Sequence, residues 1–239
     1  MADTNTPTPA PEPGKKTKKR VYGDIDKEAV TNIKLAEDVC EAASDEDNVA
    51  PLQAEEVTPK VVAGLLSRCD AARKLATKVV ETKKAKETTT RDEEKSFEAL
   101  MPLVRDAQGR AKRKFEGNKE KLAAYRIGKN NLGHNREEFE QDADTIVTLA
   151  GQDALPGMTP EKLVSLAAAL KTWKDADAAQ KRAEKIQTAA IDALETAVAE
   201  INTIRRDIQR AADLIWPYTV KANAATRRTF GLPPDKPMA

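Results

Sequence analysis

Aromatic and glycine residues are scarce in this sequence. Of its 239 residues only 4% are aromatic and 10 are glycine, whereas 33% carry a charge. No convincing segment alternates Val, Ile and Tyr with polar residues as a half-buried strand does. Alanine fills many apolar positions, and chains rich in Ala, Glu and Lys with helical periodicity are typical of long helices and coiled coils. The composition therefore predicts an all-α protein.

The sequence also lacks most of the residues from which catalytic and metal sites are built. His134 is its only histidine, so it cannot form a di-iron site made from two Glu-x-x-His pairs. Cys40 and Cys69 lack the short spacing of a zinc-binding pair, and no glycine-rich phosphate loop is present. We therefore expect no enzyme activity, no cofactor and no metal. We interpret the two cysteines as buried, reduced thiols, since disulfides are rare in the cytosol.

Long apolar runs are absent as well. No run approaches the roughly 18 apolar residues of a membrane-spanning helix, and the N-terminus lacks the apolar core of a conventional secretory signal. We therefore expect a cytoplasmic protein. The 40 basic and 39 acidic residues nearly balance, which argues against a protein whose whole surface binds nucleic acid or an anionic membrane.

The longest periodic stretch runs from Thr159 to Pro217. Thr159 suits a helix N-cap and Pro160 suits the first helical position. No Gly or Pro follows until Pro217, so one helix of roughly 85 Å is possible at 1.5 Å per residue. Arg205 and Gln209 lie outside its apolar series and are expected at the surface. The apolar series itself is the predicted assembly seam, which comprises Leu163, Leu166, Leu170, Trp173, Ile186, Leu194, Ile201, Ile204, Ile208 and Ile215.

Three further helical regions precede this stretch. A first helix is predicted at about 24–44, and the acidic residues that follow it, with Pro51, indicate a loop. A second region runs from 59 to 127. Either it is one helix kinked at Pro102, or a new helix starts at the capping box formed by Thr90 and Glu93. A turn at 128–135 and a short helix at about 136–150 complete the series, and whether 151–159 reverses the chain is left open.

Two polar stretches interrupt the apolar pattern of the long helices. Residues 81–96 contain only one apolar residue, and large apolar residues are also missing between Trp173 and Ile186. Both stretches lie at broadly similar distances from the 128–135 turn. This favours an elongated antiparallel helical bundle, or a coiled-coil-like hairpin, with one very long C-terminal helix. A more compact multi-helix bundle is the alternative.

The sequence predicts three segments. Residues 1–20 form a disordered Pro/Lys-rich tail, 21–216 a helical bundle, and 217–239 a C-terminal docking segment in which Tyr218, Phe230 and Leu232 pack beside Trp216. The function we expect is that of a non-enzymatic structural or interaction protein that assembles with itself or with another helical protein. The alternative is a nucleic-acid-associated protein that uses its Arg/Lys clusters and contacts phosphates through Lys15, Lys16, Lys18, Lys19 and Arg20.

Overall fold

The structure is a computed structural model that describes residues 22–128, 132 and 135–238. The predicted all-α helical bundle is confirmed, and these residues contain no strand. The predicted tail at 1–20 and His134 lie outside the described residues. The helices are α1 (Tyr22–Ser44), α2 (Glu46–Ala54), α3 (Pro59–Lys114), α4 (Lys119–Ala124), α5 (Arg136–Gln152), α6 (Pro160–Ile215) and α7 (Ala224–Thr229), with a 3₁₀ turn at Lys221–Asn223 before α7.

Helix α6 is the single long helix that the sequence predicts. It spans 56 residues from Pro160 to Ile215. The Thr159 hydroxyl accepts a hydrogen bond from the Lys162 N–H at 3.4 Å, as an N-cap residue does. After Pro160 it contains no Gly or Pro, the residues that destabilise a helix interior most.

Helix α3 settles the open question about residues 59–127. It is continuous for 56 residues, with Pro102 inside it, and ends at Lys114. No new helix starts at Thr90, whose hydroxyl donates to the Lys86 carbonyl at 2.9 Å within α3. The helical path does not extend to 127, because Asn118 caps the separate short helix α4 with its side chain.

The loop expected after the first helix is wrong, because α2 occupies it. Asp45 is the N-cap of α2 and accepts a hydrogen bond from the Asp47 N–H at 3.1 Å. Glu46 and Asp47 lie in the first turn, where negative charge stabilises the helix dipole. The acidic residues that suggested a loop are therefore the start of a helix, and Pro51 lies inside it.

The chain divides into two compact units. One consists of Met1–Cys69 with Glu200–Ala239, and the other is Asp70–Ala199. In the first unit α1 packs against α3, where the Cys40 thiol lies 3.8 Å from the Val62 carbonyl oxygen. The buried residues of this unit include Ile33, Leu65, Ile201, Ile208, Phe230 and Leu232.

The C-terminal segment of the first unit returns to the end of α6. Phe230 and Leu232 are buried, and the Phe230 ring stacks on Trp216 with centroids 5.3 Å apart. Arg227 is fully buried and forms an ion pair with Asp213 at 2.6 Å. Tyr218 differs from the expectation, because it stays partly exposed with its ring 6.0 Å from the Arg227 guanidinium.

The second unit is built on α3, α5 and α6. Ion pairs from Lys86 to Glu184 (3.1 Å) and from Asp106 to Lys162 (3.9 Å) show that α3 and α6 run antiparallel there. Lys174 of α6 binds Asp144 of α5 at 2.5 Å, so these two helices are also neighbours. The 151–159 segment therefore reverses the chain between α5 and α6 and is not an interruption in one returning arm.

Candidate functional site

A cavity of about 350 Å³ opens in the second unit, between α3, α5 and α6. Aromatic side chains from all three helices line it, namely Phe97, Phe139 and Trp173. The Phe139 centroid lies 5.0 Å from both the Phe97 and the Trp173 centroids. The ring of Trp173 meets that of Phe139 edge-on at 88°, which is a favoured arrangement for aromatic pairs. One wall of the cavity is thus a packed apolar surface.

The polar lining of the cavity centres on Glu93, a carboxylate with only 4% of its surface exposed. Its Oε1 accepts a hydrogen bond from Trp173 Nε1 at 2.9 Å, and its Oε2 accepts one from Arg136 Nη2 at 2.8 Å. A buried carboxylate is costly unless it is paired and hydrogen-bonded. Arg136 and Trp173 satisfy both requirements, so the three side chains fix one another across three helices.

Arg136 extends this network along α6. Its Nη1 donates to Gln180 Oε1 at 3.3 Å, and its Nε lies 3.7 Å from Asp177 Oδ1. Asp177 is buried and also pairs with Lys181 at 2.8 Å. The hydrogen bond to Asp177 raises the pKa of the Lys181 ammonium above its usual value. Buried polar side chains therefore replace apolar ones at this level of the unit.

The two predicted polar stretches meet here. The 128–135 turn is not the tip of a hairpin between them, because Arg136, directly after that turn, binds Glu93 within the first stretch. Lys86 pairs with Glu184, and Glu93 bonds to Trp173. The network itself was not predicted, because the sequence indicated only a capping role for Glu93 and no role for Arg136 or Asp177. The one signal available in the sequence was the presence of two polar stretches. They indicate where along α3 and α6 polar side chains lie, but not which of these side chains bind one another.

The predicted assembly seam lies largely inside the chain's own fold. Leu166, Leu170, Trp173, Leu194, Ile201 and Ile208 are buried, and Leu163, Ile204 and Ile215 are half-buried. Ile186 departs from the others, with 55% of its surface exposed. Ile186 lies thirteen positions after Trp173, and at about 100° per residue its side chain points roughly 140° away from that of Trp173. The role of these residues in assembly stays a prediction.

The basic clusters have mixed placements. Lys15, Lys16, Lys18, Lys19 and Arg20 lie outside the described residues. Arg227 donates to the backbone carbonyls of Trp216, Pro233 and Lys236. Lys121 binds Asp153 at 2.8 Å, and Lys114 donates to the carbonyls of Asp153 and Ala154. Lys114, Lys121 and Arg227 therefore bind groups of the fold itself.

Gln209 overturns the expectation that it lies at the surface. Only 5% of it is exposed, and its Nε2 donates to the Phe230 carbonyl at 2.7 Å. Its neighbour Arg205 is half-buried, and burial lowers the pKa of that guanidinium below its usual value. Both residues face the side of α6 to which the C-terminal segment returns.

Within the described part of the chain, no group of three or more His, Cys, Asp or Glu side chains is arranged to hold a metal ion. None of the helices described here is long and apolar enough to cross a membrane. Comparison with protein-family models, with curated proteins and with solved structures finds no match.

Proposed function

We propose that this chain is a non-enzymatic interaction protein, a helical-bundle subunit that assembles with other copies of itself through the exposed face of α6 around Ile186. The observation that carries the proposal is that large apolar side chains are exposed on both long helices of the second unit. Val80 of α3 is 41% exposed and Ile186 of α6 is 55% exposed. A helical protein of another kind is the alternative partner.

The antiparallel register places these two side chains at one level. Lys86 pairs with Glu184, and Glu93 bonds to Trp173, so residue 80 of α3 lies opposite the turn of α6 that holds Ile186. Ala189 and Ala193 follow Ile186 on α6 and are exposed. Small residues beside an apolar anchor let a second helix approach closely, and association buries this area.

We rank association with nucleic acid below self-assembly, since Lys114, Lys121 and Arg227 already bind carbonyl or carboxylate groups of the fold. We also propose a cytoplasmic location, which Cys40 and Cys69 support, because both are buried and neither forms a disulfide.

A pair of single-charge variants tests self-assembly through α6. Ile186→Glu places a carboxylate in the proposed contact, whereas Thr188→Glu adds the same charge two residues further along, at another exposed position of α6. We expect the sedimentation coefficient of the unmodified chain and of Thr188→Glu to rise with protein concentration. That of Ile186→Glu should stay at the monomer value, with unchanged helical circular dichroism. Equal concentration dependence of the two variants would contradict the proposed contact.

A further inference from the structure

The cavity between α3, α5 and α6 has the size and lining of a ligand site. Its volume of about 350 Å³ falls within the range usual for small-molecule pockets, which are mostly apolar with a few convergent polar groups. Phe97, Phe139 and Trp173 supply the apolar part, and Glu93, Glu94, Glu98 and Arg136 supply the charged part.

The apolar wall of the cavity is held in place before any ligand arrives. Trp173 cannot turn freely, because its Nε1 donates to Glu93 and its ring contacts Phe139. Glu93 is in turn held by Arg136. A wall that is already ordered loses little conformational entropy on binding, which favours affinity.

The charges that line the cavity do not balance. Arg136 is paired with Glu93, which leaves Glu94 and Glu98 as two exposed carboxylates at the edge of the aromatic wall. Within the described part of the chain, no salt bridge joins either of them to a cation. The cavity therefore presents a net negative charge next to three aromatic rings.

The N-terminus of α5 also borders the cavity, and its partial positive charge would favour an anion. That charge is already offset, because Glu137 and Glu138 lie in the first turn of α5 and Asn135 accepts a hydrogen bond from the Glu138 N–H at 2.9 Å. Arg136 is committed to Glu93, Gln180 and Asp177. The groups that would attract an anion thus have partners within the protein.

We infer that this cavity binds a small organic cation, an ammonium or guanidinium group carried on an apolar body. The apolar body would lie against Phe97, Phe139 and Trp173, and the charged group would lie near Glu94 and Glu98. Aromatic rings attract cations through their quadrupole, and the two carboxylates add direct charge attraction. This inference is independent of the proposed self-assembly, which involves Ile186 and not the cavity.

Three probes of one shape test the inference on the full chain. Benzylamine carries a cation, benzyl alcohol is neutral and benzoate is an anion. Calorimetry measures binding to the unmodified chain. The Trp216→Phe variant leaves Trp173 as the only tryptophan, since the sequence has two, and its fluorescence reports whether binding occurs at the cavity. We expect saturable binding of benzylamine at about 1 mM or below, weaker binding of benzyl alcohol, and none of benzoate.

Matched charge variants assign the effect to the cavity. Glu94→Gln with Glu98→Gln should weaken benzylamine binding about tenfold, the scale expected from two exposed charge pairs. Glu81→Gln with Glu87→Gln removes the same charge elsewhere on α3 and should leave binding unchanged. Equal effects of the two pairs, benzoate binding as well as benzylamine, or no saturable binding of benzylamine would overturn the inference. The inference would also be overturned if a blocked Gly-Arg-Gly peptide bound and benzylamine did not, because a polypeptide would then be the occupant.

Discussion

Gln209 fastens the C-terminal segment to α6. Its amide nitrogen donates to the Phe230 carbonyl at 2.7 Å, and its amide oxygen lies 3.4 Å from Arg205 Nη1. The Phe230 ring stacks on Trp216 nearby. A buried carbonyl that loses its donor keeps its full desolvation cost. The Gln209 side chain is therefore expected to contribute to the stability of the protein.

We therefore predict that Gln209→Ala destabilises the protein by about 1–3 kcal/mol, since the Phe230 carbonyl would be left unsatisfied. Thermal unfolding followed by circular dichroism measures the loss. Arg210→Ala is the control at the next position, which is exposed, and should change stability by less than about 0.5 kcal/mol. Equal melting temperatures for Gln209→Ala and Arg210→Ala would show that the amide does not hold the segment.

Cys40 makes the stability of the protein sensitive to alkaline pH. Burial, together with the smaller effects of the nearby Cys69 and Glu37, raises the pKa of its thiol to about 12. The folded chain thus keeps a proton that the unfolded chain releases above about pH 8.5. The contribution to stability is complete below that pH and is lost as the pH rises toward the folded value.

The predicted outcome is a free energy of unfolding, measured with urea, that falls as the pH rises above about 8.5. Cys40→Ala should show a shallower fall, because it has no thiol to deprotonate. Tyr125 contributes in the same direction in both proteins, since burial and its hydrogen bond to Asp153 raise the pKa of its hydroxyl. Identical slopes for the two proteins would contradict the role of Cys40.

At the scale of the helices, one charged network crosses α3, α5 and α6. Arg136 at the start of α5 binds Glu93 of α3 and lies 3.7 Å from Asp177 of α6. Removing one partner of a buried ion pair leaves an uncompensated charge, whereas removing both can be nearly neutral. The side chain of Arg136 is 45% exposed, so solvent screening reduces the effect.

We predict that Arg136→Leu destabilises the protein by about 1–3 kcal/mol and that adding Glu93→Gln recovers part of this loss. The glutamine keeps an acceptor for Trp173 Nε1 and carries no charge. Urea unfolding of the two single variants and the double variant measures the coupling. Lys171→Ala, which breaks the exposed pair with Asp175, should have little effect. Additive losses in the double variant would mean that Glu93 and Arg136 do not depend on each other.

The long helices could be predicted from the sequence, but the connections between them could not. Thr159 and Pro160 mark the start of α6, and its interior has no helix breaker, so local signals suffice. The start of α2 was missed because acidic residues favour both loops and helix N-termini. Ile186 was wrongly predicted to be on the buried face, because no large apolar residue between Trp173 and Ile186 shows which way that face turns.

For the whole molecule, composition predicted the fold class and the two polar stretches predicted a shared level. The cavity could not be predicted, because it forms only when the start of α5 lies beside Glu93 and Trp173. Arg136 lies 43 positions from Glu93 in the chain, and Trp173 lies 80 positions from Glu93. Gln209 was misplaced for the same reason, since Phe230 covers it only after the chain returns. Local patterns report helices, and these sites depend on tertiary contacts.

The molar mass of the full chain in solution tests the central claim, that this protein functions by self-assembly. Static light scattering across a range of protein concentrations gives that mass without a variant or a label. We predict a mass that rises with concentration to a whole multiple of the 26.1 kDa chain, because association follows mass action. A mass of 26.1 kDa at every concentration would contradict it.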